Sequence, residues 1–249
     1  IETILKKEKN IDGIVCVPRH SNPTGHTYSD SNVRSMFKMF APLHKNFMIL
    51  WDNAYACHDL KETISQTNAS VIAKEFNLED NIFHFGSTSK MTLAGSGISF
   101  LSSSKENIDK FIDYRNSVTV GPNKMNQGLH VEYFKIMPIK KQMQKMKEIL
   151  LPKFDITDHY LDMLKDERLG SFSNPTGGYF FSFDSKKSNC EEIIDTCQKL
   201  NLKLLPPGSS FPYNDDPNKN NIRIAPTFPT NDELEKSMKI LTSVVKHLN

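Results

Sequence analysis

The sequence predicts an α/β fold, with a mostly parallel sheet in a larger N-terminal domain and a smaller α+β domain after it. In the first half, short apolar runs that end in turn residues alternate with helical patterns, which is typical of parallel strands covered by helices. The middle is poor in Gly and Pro, and the last part mixes aromatic strand patterns with helices. We therefore place one domain at residues 1–145 and the other at residues 146–249.

Short apolar runs predict the strands of the larger domain at residues 13–17, 47–51, 81–86 and 98–102. Each run is bounded by turn residues and is too short for a typical helix, so a strand is favoured. Between the first two runs, Ser29 is a favourable N-cap residue, and apolar residues recur at helical spacing from Val33 to about Leu43.

Helix-forming residues dominate positions 123–165, where we expect two or three helical segments. Pro138 and Pro152 should kink or interrupt them, because proline lacks the backbone N–H group that a helix interior uses. In the C-terminal domain, apolar patterns predict strands at residues 178–184 and 222–225 and helices at residues 190–200 and 230–247. Thr230 and the acidic residues after it are typical of the start of that last helix.

Composition narrows the possible function classes. Hydrophobic residues make up 38% of the chain, charged residues 24%, and the net charge is +2. This balance supports a packed core, and the basic residues do not cluster as they do in nucleic-acid-binding proteins. No apolar run approaches the length of about 18 residues that spans a bilayer. We expect neither a nucleic acid nor a membrane as a partner.

The four cysteines form no C-x-x-C pair, and no histidines near them complete a zinc pattern. We therefore expect no metal site, and thiols of this kind fit a reducing compartment such as the cytoplasm. The chain begins at Ile1 with a pattern typical of the middle of a helix. We interpret it as a fragment of a longer protein, whose missing start would hide any targeting segment.

Polar loops follow the first three predicted strands, at residues 21–25 (Ser-Asn-Pro-Thr-Gly), 51–55 (Trp-Asp-Asn-Ala-Tyr) and 86–90 (Gly-Ser-Thr-Ser-Lys). Each is common turn material by itself. Their placement is more specific, because open α/β sheets bind ligands at the carboxyl ends of their strands. We therefore expect a ligand site there. The Asn-Pro-Thr-Gly sequence recurs at residues 174–177, where turn formation alone accounts for it.

The residue types in these loops suit one kind of cofactor. A lysine that is partly desolvated loses its proton more easily and can form a Schiff base with a carbonyl group, and Lys90 is the candidate for this role. The hydroxyl residues before it can bind a phosphate, Asp52 can pair with a heterocyclic cation, and Tyr55 can donate its hydroxyl to the same ligand. Arg223, in a later strand, can bind a carboxylate through two hydrogen bonds. Pyridoxal phosphate (PLP) with an amino-acid substrate presents all of these partners.

The motifs N-P-T-G, D-N-A-Y, S-T-S-K and N-I-R-I-A together resemble those of the fold-type I PLP enzymes, the aspartate aminotransferase superfamily. The resemblance covers nearly the whole chain and is strongest to a divergent bacterial-type group of class I/II aspartate aminotransferases. It implies the PLP-dependent transferase fold, here with only part of the large domain, and a homodimer that completes the active site.

The resemblance also implies roles for individual residues. Asn22 and Tyr55 match the residues that hydrogen-bond the cofactor's phenolic oxygen, and Asp52 matches the partner of the pyridine nitrogen. Ser87 matches a phosphate ligand, and Lys90 matches the Schiff-base lysine. Together, Lys90, Asp52 and Tyr55 are the catalytic candidates.

The implied reaction is transamination by a ping-pong mechanism, with Lys90 as the proton carrier. Arg223 matches the arginine that holds the α-carboxylate of the substrate, which we also expect to contact Asn22. The branch resemblance implies aspartate as the amino acid and 2-oxoglutarate as the 2-oxo acid, although no basic residue for a second substrate carboxylate can be identified.

One departure from the family pattern concerns the phosphate. Most of the superfamily has an arginine eight residues after the lysine, where this chain has Ile98. We hypothesise that Thr92, Ser96 or groups outside the chain replace it.

Two alternatives stay open, because one fold supports many reactions. The first is another PLP enzyme of the same fold, such as a β-lyase or a decarboxylase. The second is a non-enzymatic effector domain of a transcription regulator, which would follow a winged-helix segment upstream of this chain.

Overall fold

The computed structural model describes residues 1–8, 10–43, 45–62 and 65–249. They form two compact units. The N-terminal unit contains the described residues of 1–18, 28–56 and 64–143. The C-terminal unit contains those of 19–27, 57–63 and 144–249. Two short segments of the first half thus group with the C-terminal residues.

The N-terminal unit is built on a four-stranded sheet in the order β1-β2-β3-β4. Its strands are β1 (Gly13–Cys16), β2 (Met48–Asp52), β3 (Ile82–Ser87) and β4 (Ser99–Ser102). The first three are parallel, and β4 runs antiparallel to β3. The predicted α/β class and mostly parallel sheet are therefore confirmed. The helices of this unit are α1 (Glu2–Lys7), α2 (Asp30–Phe40), α3 (Ala69–Glu75), α4 (Lys105–Val118) and α5 (Lys124–Ile136).

The core of this unit lies between the sheet and helices α2 and α3. Ser29 caps α2 by accepting a hydrogen bond from the backbone of Asn32, as its position predicts. Phe37 is fully buried, and its ring lies 5.8 Å from that of Trp51 in a T-shaped arrangement. Burying one such aromatic ring stabilises a fold by about 1.5–3 kcal/mol. This packing fixes the end of β2, where Asp52 follows Trp51.

Helix α6 (Ile139–Asp166) contributes residues to both units. Pro138 separates it from α5, as predicted, but the expected interruption at Pro152 is wrong, because α6 continues through that residue. Leu150 and Phe154 are buried on either side of Pro152. We attribute the continuity to their packing, which offsets the backbone hydrogen bond that a proline removes.

The C-terminal unit contains a three-stranded antiparallel sheet packed against helices. Its strands are β5 (Gly170–Phe172), β6 (Phe181–Ser185) and β7 (Asn221–Ile224), in that order. Its further helices are α7 (Cys190–Lys199) and α8 (Asn231–Leu248), with a 3₁₀ turn at Pro212–Asn214. The helix start predicted at Thr230 is present, and Glu233 completes a capping box with this residue.

The core of this unit is aromatic and aliphatic, with Phe154, Phe181 and Phe183 fully buried. Cys190 and Cys197 lie among these residues as small buried side chains. No helix in the described part of the chain is both long and apolar enough to span a membrane.

Candidate active site

Lys90 lies just beyond the carboxyl end of β3, in an exposed turn of the N-terminal unit. Its Nζ atom is 5.0 Å from the centroid of the Tyr55 ring. Tyr55 is only 5% exposed and belongs to the turn after the neighbouring parallel strand β2. The structure therefore brings together two of the predicted catalytic residues, because adjacent parallel strands end at the same edge of the sheet.

Asp52 is the last residue of β2 and is partly buried. Its Oδ1 atom accepts a hydrogen bond of 3.0 Å from the backbone N–H of Ala54, which fixes the carboxylate at the strand end. The described residues offer no hydrogen bond to Oδ2. An oriented carboxylate with one oxygen available suits a protonated ring nitrogen as its partner.

The loop between β3 and Lys90 presents hydroxyl groups. The Oγ atoms of Ser87 and Ser89 lie 2.7 Å apart, and Ser87 Oγ also accepts a 3.1 Å hydrogen bond from the backbone N–H of Ser89. Gly97 packs directly against this loop, since a Cβ atom at that position would lie 2.7 Å from Ser89 Cα. The serine pair is therefore held by its own contacts and by the chain that leads into β4.

His130, which the motif analysis did not identify, fastens the same loop to helix α5. Thr92 Oγ1 lies 2.9 Å from His130 Nε2, and Thr88 Oγ1 lies 3.3 Å from it. On the other side of the ring, Nδ1 lies 2.9 Å from the carbonyl oxygen of Asn126. Because a carbonyl oxygen only accepts, Nδ1 carries a proton in this arrangement, and Nε2 of the neutral ring accepts from a threonine hydroxyl. His130 is 2% exposed.

These contacts bear on the hypothesis that Thr92 or Ser96 replaces the missing phosphate arginine. The hydroxyl of Thr92 is directed to His130 and to Thr88. The backbone N–H of Ile98 donates to Thr88 Oγ1 at 2.9 Å. Positions 92 and 98 thus contribute to the rigidity of the lysine loop.

Arg223 and Asn22 meet in the C-terminal unit. Nη1 of Arg223 donates to Oδ1 of Asn22 at 2.8 Å, and the guanidinium carbon lies 4.7 Å from the centroid of the Phe180 ring. Ile222 and Ile224 face the core on one side of β7, so Arg223 projects from the other side. The ring of Phe180 thus supports the arginine.

The Nε atom of Arg223 is buried, and no group in the described part of the chain hydrogen-bonds to it. A buried guanidinium N–H without a partner is costly, since its desolvation is uncompensated. A bound carboxylate would supply the missing acceptor.

The six predicted site residues thus fall into two groups. Asp52, Tyr55, Ser87 and Lys90 belong to the N-terminal unit, and Asn22 and Arg223 belong to the C-terminal unit. The residues in each group fit what PLP and an amino-acid substrate require. The available Asp52 oxygen suits the pyridine nitrogen, the Ser87 loop suits a phosphate, and the orphaned Arg223 Nε suits a carboxylate. Among the described residues, no cluster of His, Cys, Asp or Glu could hold a metal ion.

Comparison with known proteins places the chain in a family. The family model described as aspartate amino-transferase matches residues 1–248. The aspartate aminotransferase of Corynebacterium glutamicum is 35% identical over 239 residues, covering 94% of this chain and 55% of that protein. A solved structure of an aspartate transaminase from the same species has a TM-score of 0.88 at 30% identity, covering 100% of this chain and 61% of that chain.

A more distant structure, the α-aminoadipate aminotransferase of Thermus thermophilus, was solved with a phosphopyridoxyl-leucine compound. It shares the fold, with a TM-score of 0.82 at 20% identity, covering 99% of this chain and 61% of that chain. The chain spans about half the length of the curated relatives it matches.

The family match extends over nearly the whole chain and includes every motif from which the resemblance was drawn. The solved relatives also share the α/β architecture described above. The chain therefore belongs to the aspartate amino-transferase family.

Proposed function

We propose that the whole protein is a PLP-dependent aminotransferase that exchanges the amino group between an amino acid and a 2-oxo acid. The observation that carries this proposal is the placement of Lys90 beside Tyr55, at the carboxyl ends of two parallel strands. Family membership supports the same reaction class. Aspartate and 2-oxoglutarate are the proposed substrates, and the name of the Corynebacterium glutamicum relative supports aspartate.

The residues of the N-terminal unit would hold the cofactor. Lys90 would bind its aldehyde carbon through Nζ, and Ser87 would donate to its phosphate. Asp52 would keep a proton on the ring nitrogen, and Tyr55, with Asn22 from the C-terminal unit, would donate to the phenolic oxygen. When bound, PLP supplies an electron sink for the bond that breaks at the substrate's α-carbon.

Lys90 would then act as the proton carrier. Once the substrate's amino group takes its place, its amine is free to remove the proton from the α-carbon and to return a proton on the product side. Its position over the Tyr55 ring limits where Nζ can move, which is the positioning that a single general base needs to serve both transfers. A cycle of two such half-reactions gives ping-pong kinetics.

Arg223 and Asn22 would bind the α-carboxylate of the substrate. The guanidinium of Arg223 offers two parallel N–H groups, and the buried Nε is one of them. Its hydrogen bond to Asn22 and its contact with Phe180 hold the guanidinium in one orientation before a ligand arrives. Preorganisation of this kind lowers the entropic cost of binding.

A homodimer is part of the proposal, and apolar residues on the surface of the N-terminal unit support it. Helix α4 has no buried residue, although it carries large apolar side chains. Its Tyr114 and Val118 are 69% and 66% exposed. Met125 on α5 is 85% exposed. Large apolar side chains grouped on helices are typical of surfaces that another chain or domain covers. A cytoplasmic location is also proposed, and the four free cysteines fit it.

The test is Lys90→Ala in the whole protein, with Lys105→Ala as the control, since Lys105 is an exposed lysine of the same unit that pairs with Asp109. We expect Lys90→Ala to lose the visible absorbance of bound cofactor and all transamination, while the control keeps both. Borohydride treatment should attach the cofactor to the peptide that contains Lys90. Turnover that persists in Lys90→Ala would sink the assignment.

The products separate the proposal from the alternatives. An aminotransferase converts aspartate and 2-oxoglutarate into a new 2-oxo acid and glutamate. A β-lyase would release ammonia, and a decarboxylase would release carbon dioxide. A regulator domain would bind the ligands without turnover.

A further inference from the structure

An ion-pair cluster in the C-terminal unit surrounds the carboxylate of Asp59. Arg19 binds it through two hydrogen bonds, from Nε to Oδ1 at 3.0 Å and from Nη2 to Oδ2 at 2.5 Å. His20 Nε2 lies 2.8 Å from the same Oδ1. The side chains of Arg19, His20 and Asp59 are only 12%, 0% and 16% exposed. A short, forked and nearly buried pair of this kind is geometrically specific, unlike the mobile ion pairs of a surface.

His20 is held tightly between this cluster and neighbouring backbone. Its φ angle is 47°, a left-handed conformation that non-glycine residues seldom adopt. A Cβ atom at Gly177 would lie 2.8 Å from His20 Nε2, and one at Gly178 would lie 2.6 Å from His20 Cβ. Since a carboxylate only accepts, His20 donates from Nε2 to Asp59. A side chain at either of these two positions would therefore collide with His20.

The two Asn-Pro-Thr-Gly loops pack against each other beside this cluster. Gly25 of the first copy is so close to the second that a Cβ atom on it would lie 2.6 Å from Pro175 Cβ. The carbonyl oxygen of Thr176 accepts hydrogen bonds from the backbone N–H groups of Leu60 and Lys61, at 3.0 and 2.9 Å. The chain around Asp59 thereby joins both loops. Turn formation alone does not account for the second copy.

The first of these loops carries one of the two proposed carboxylate-binding residues. Asn22 lies in the first loop, three residues after Arg19 and two after His20. A Cβ atom at Gly25 would also lie 2.8 Å from the carbonyl oxygen of Phe180, whose ring supports Arg223. The Asp59 cluster is therefore linked through one short loop to both partners of the Asn22–Arg223 hydrogen bond.

From this geometry we propose that Asp59 is a positioning residue for substrate carboxylate binding. It acts through Arg19 and His20, which fix the loop that presents Asn22 to Arg223. The inference rests on the proposed function, because it takes Asn22 and Arg223 as the carboxylate-binding pair. Asp59 also balances the charge of the little-exposed Arg19 guanidinium.

The test uses the whole protein loaded with its cofactor. Asp59→Asn keeps the size of the side chain and removes its charge. Arg19→Lys keeps the charge and removes the two-pronged contact. Glu167→Gln is the control, since it breaks an ion pair with Lys246 elsewhere in the same unit. The readouts are kcat and KM for aspartate, the Kd for succinate, which has carboxylates but no amino group, and borohydride labelling of Lys90.

We expect Asp59→Asn to raise both KM for aspartate and Kd for succinate about tenfold, with kcat changed less than about twofold, since a buried charge pair is broken without touching the reacting atoms. Arg19→Lys should shift both constants in the same direction by a smaller factor, and it carries the test if Asp59→Asn does not fold. Labelling of Lys90 should be unchanged, and Glu167→Gln should match the parent. In a protein that already carries Arg223→Lys, Asp59→Asn should change KM and Kd little further, because both changes act on the same carboxylate-binding pair.

The outcome that overturns this inference is a variant that lowers the melting temperature but leaves KM and Kd at the parent values. That result would give the cluster a purely structural role and leave the proposed function intact. A parent protein that neither turns over aspartate nor binds succinate would overturn the proposed function and this inference with it.

Discussion

Arg223 and Asn22 are 201 positions apart in the sequence, yet Nη1 of the arginine donates to Oδ1 of the asparagine at 2.8 Å. The two residues come from separate motifs, and each was assigned a contact with the substrate carboxylate. Their hydrogen bond, together with the contact between the guanidinium and the Phe180 ring, holds the arginine in one orientation. The first prediction follows from these contacts, because they orient the guanidinium for the substrate carboxylate.

Arg223→Lys should weaken substrate binding more than it slows turnover at saturation. Lysine keeps the positive charge but cannot form the two parallel hydrogen bonds, nor stack on Phe180 as the planar guanidinium does. We expect KM for the amino acid to rise by about tenfold to a hundredfold, since hydrogen bonds to charged groups contribute about 1.5–3 kcal/mol. Steady-state kinetics of the whole protein measures this. The control is Arg168→Lys, an exposed arginine of the same unit, and an unchanged KM in Arg223→Lys would remove the residue from its role.

Asp52→Asn should retain the cofactor but lose most of the reaction rate. The amide keeps the size of the side chain, and its oxygen can still accept from the Ala54 N–H group, so the loop should stay folded. It has no charge to hold a proton on the ring nitrogen, which weakens the electron sink. We expect kcat to fall by at least about a hundredfold, the lower range for a positioned acid–base group. Absorbance titration of Asp52→Asn should show that the cofactor still binds. Asp109→Asn, on α4, is the control and should keep the parent rate. A near-normal rate in Asp52→Asn would exclude this role for Asp52.

The sequence predicted the architecture well where the signal was local. Every strand of the four-stranded sheet, the Ser29 cap and the Thr230 cap follow from patterns a few residues long. The strand β5 was missed because three residues are too few to show an alternating pattern. The continuity of α6 through Pro152 depends on the packing of neighbouring side chains, and helix propensities take no account of that packing.

Only the site residues that stand in recognisable sequence motifs could be predicted. Lys90, Asp52, Tyr55 and Ser87 stand in short motifs at strand ends, whereas His130 lies on helix α5, 38 positions beyond Thr92. Its only sequence signal was a histidine on an otherwise ordinary helical stretch. The grouping of residues 19–27 with the C-terminal unit likewise depends on long-range contacts that no local pattern encodes.

The missed residue gives a third prediction. His130→Phe keeps an aromatic ring but removes the three hydrogen-bond contacts of the imidazole, so the buried hydroxyl of Thr88 and the partly buried hydroxyl of Thr92 lose a partner. Unsatisfied buried polar groups cost about 1–3 kcal/mol each. We therefore expect a lower melting temperature and faster backbone hydrogen exchange at residues 88–98. His130→Gln, whose amide can replace part of the contact, should lie between this variant and the parent.

The control for this prediction is His247→Gln, at an exposed position near the end of α8. It should leave hydrogen exchange at residues 88–98 unchanged. If His130→Phe also leaves exchange there at the parent rate, His130 does not fasten the lysine loop.

The last prediction concerns acid sensitivity of the Asp59 cluster. Burial lowers the pKa of His20, against the opposing effect of Asp59, while Arg19 lowers it further. The folded protein thus favours neutral imidazole, so below the unfolded pKa of about 6.5 the unfolded chain binds the proton first. Stability therefore falls as pH falls through this range, because it rises with pH wherever the unfolded state binds more protons. Asp59 acts later in the same direction. Burial acts to raise its pKa, but hydrogen bonds from Arg19 and His20 hold the pKa below its usual value, so its stabilisation is lost only as pH falls below about 4.

His20→Gln should separate the two steps, because glutamine can donate to Asp59 but takes up no proton. We expect the melting temperature of this variant to fall less than that of the parent between pH 7.5 and pH 5, the range of about one unit above to one and a half below an unperturbed histidine pKa. The pKa of His84 is also lowered by burial, so His84 adds the same pH dependence of stability to both proteins. His247→Gln removes an exposed histidine and should follow the parent curve. Parallel curves for His20→Gln and the parent would mean that His20 takes up its proton equally in the folded and unfolded states, and would contradict the lowering of its pKa by burial.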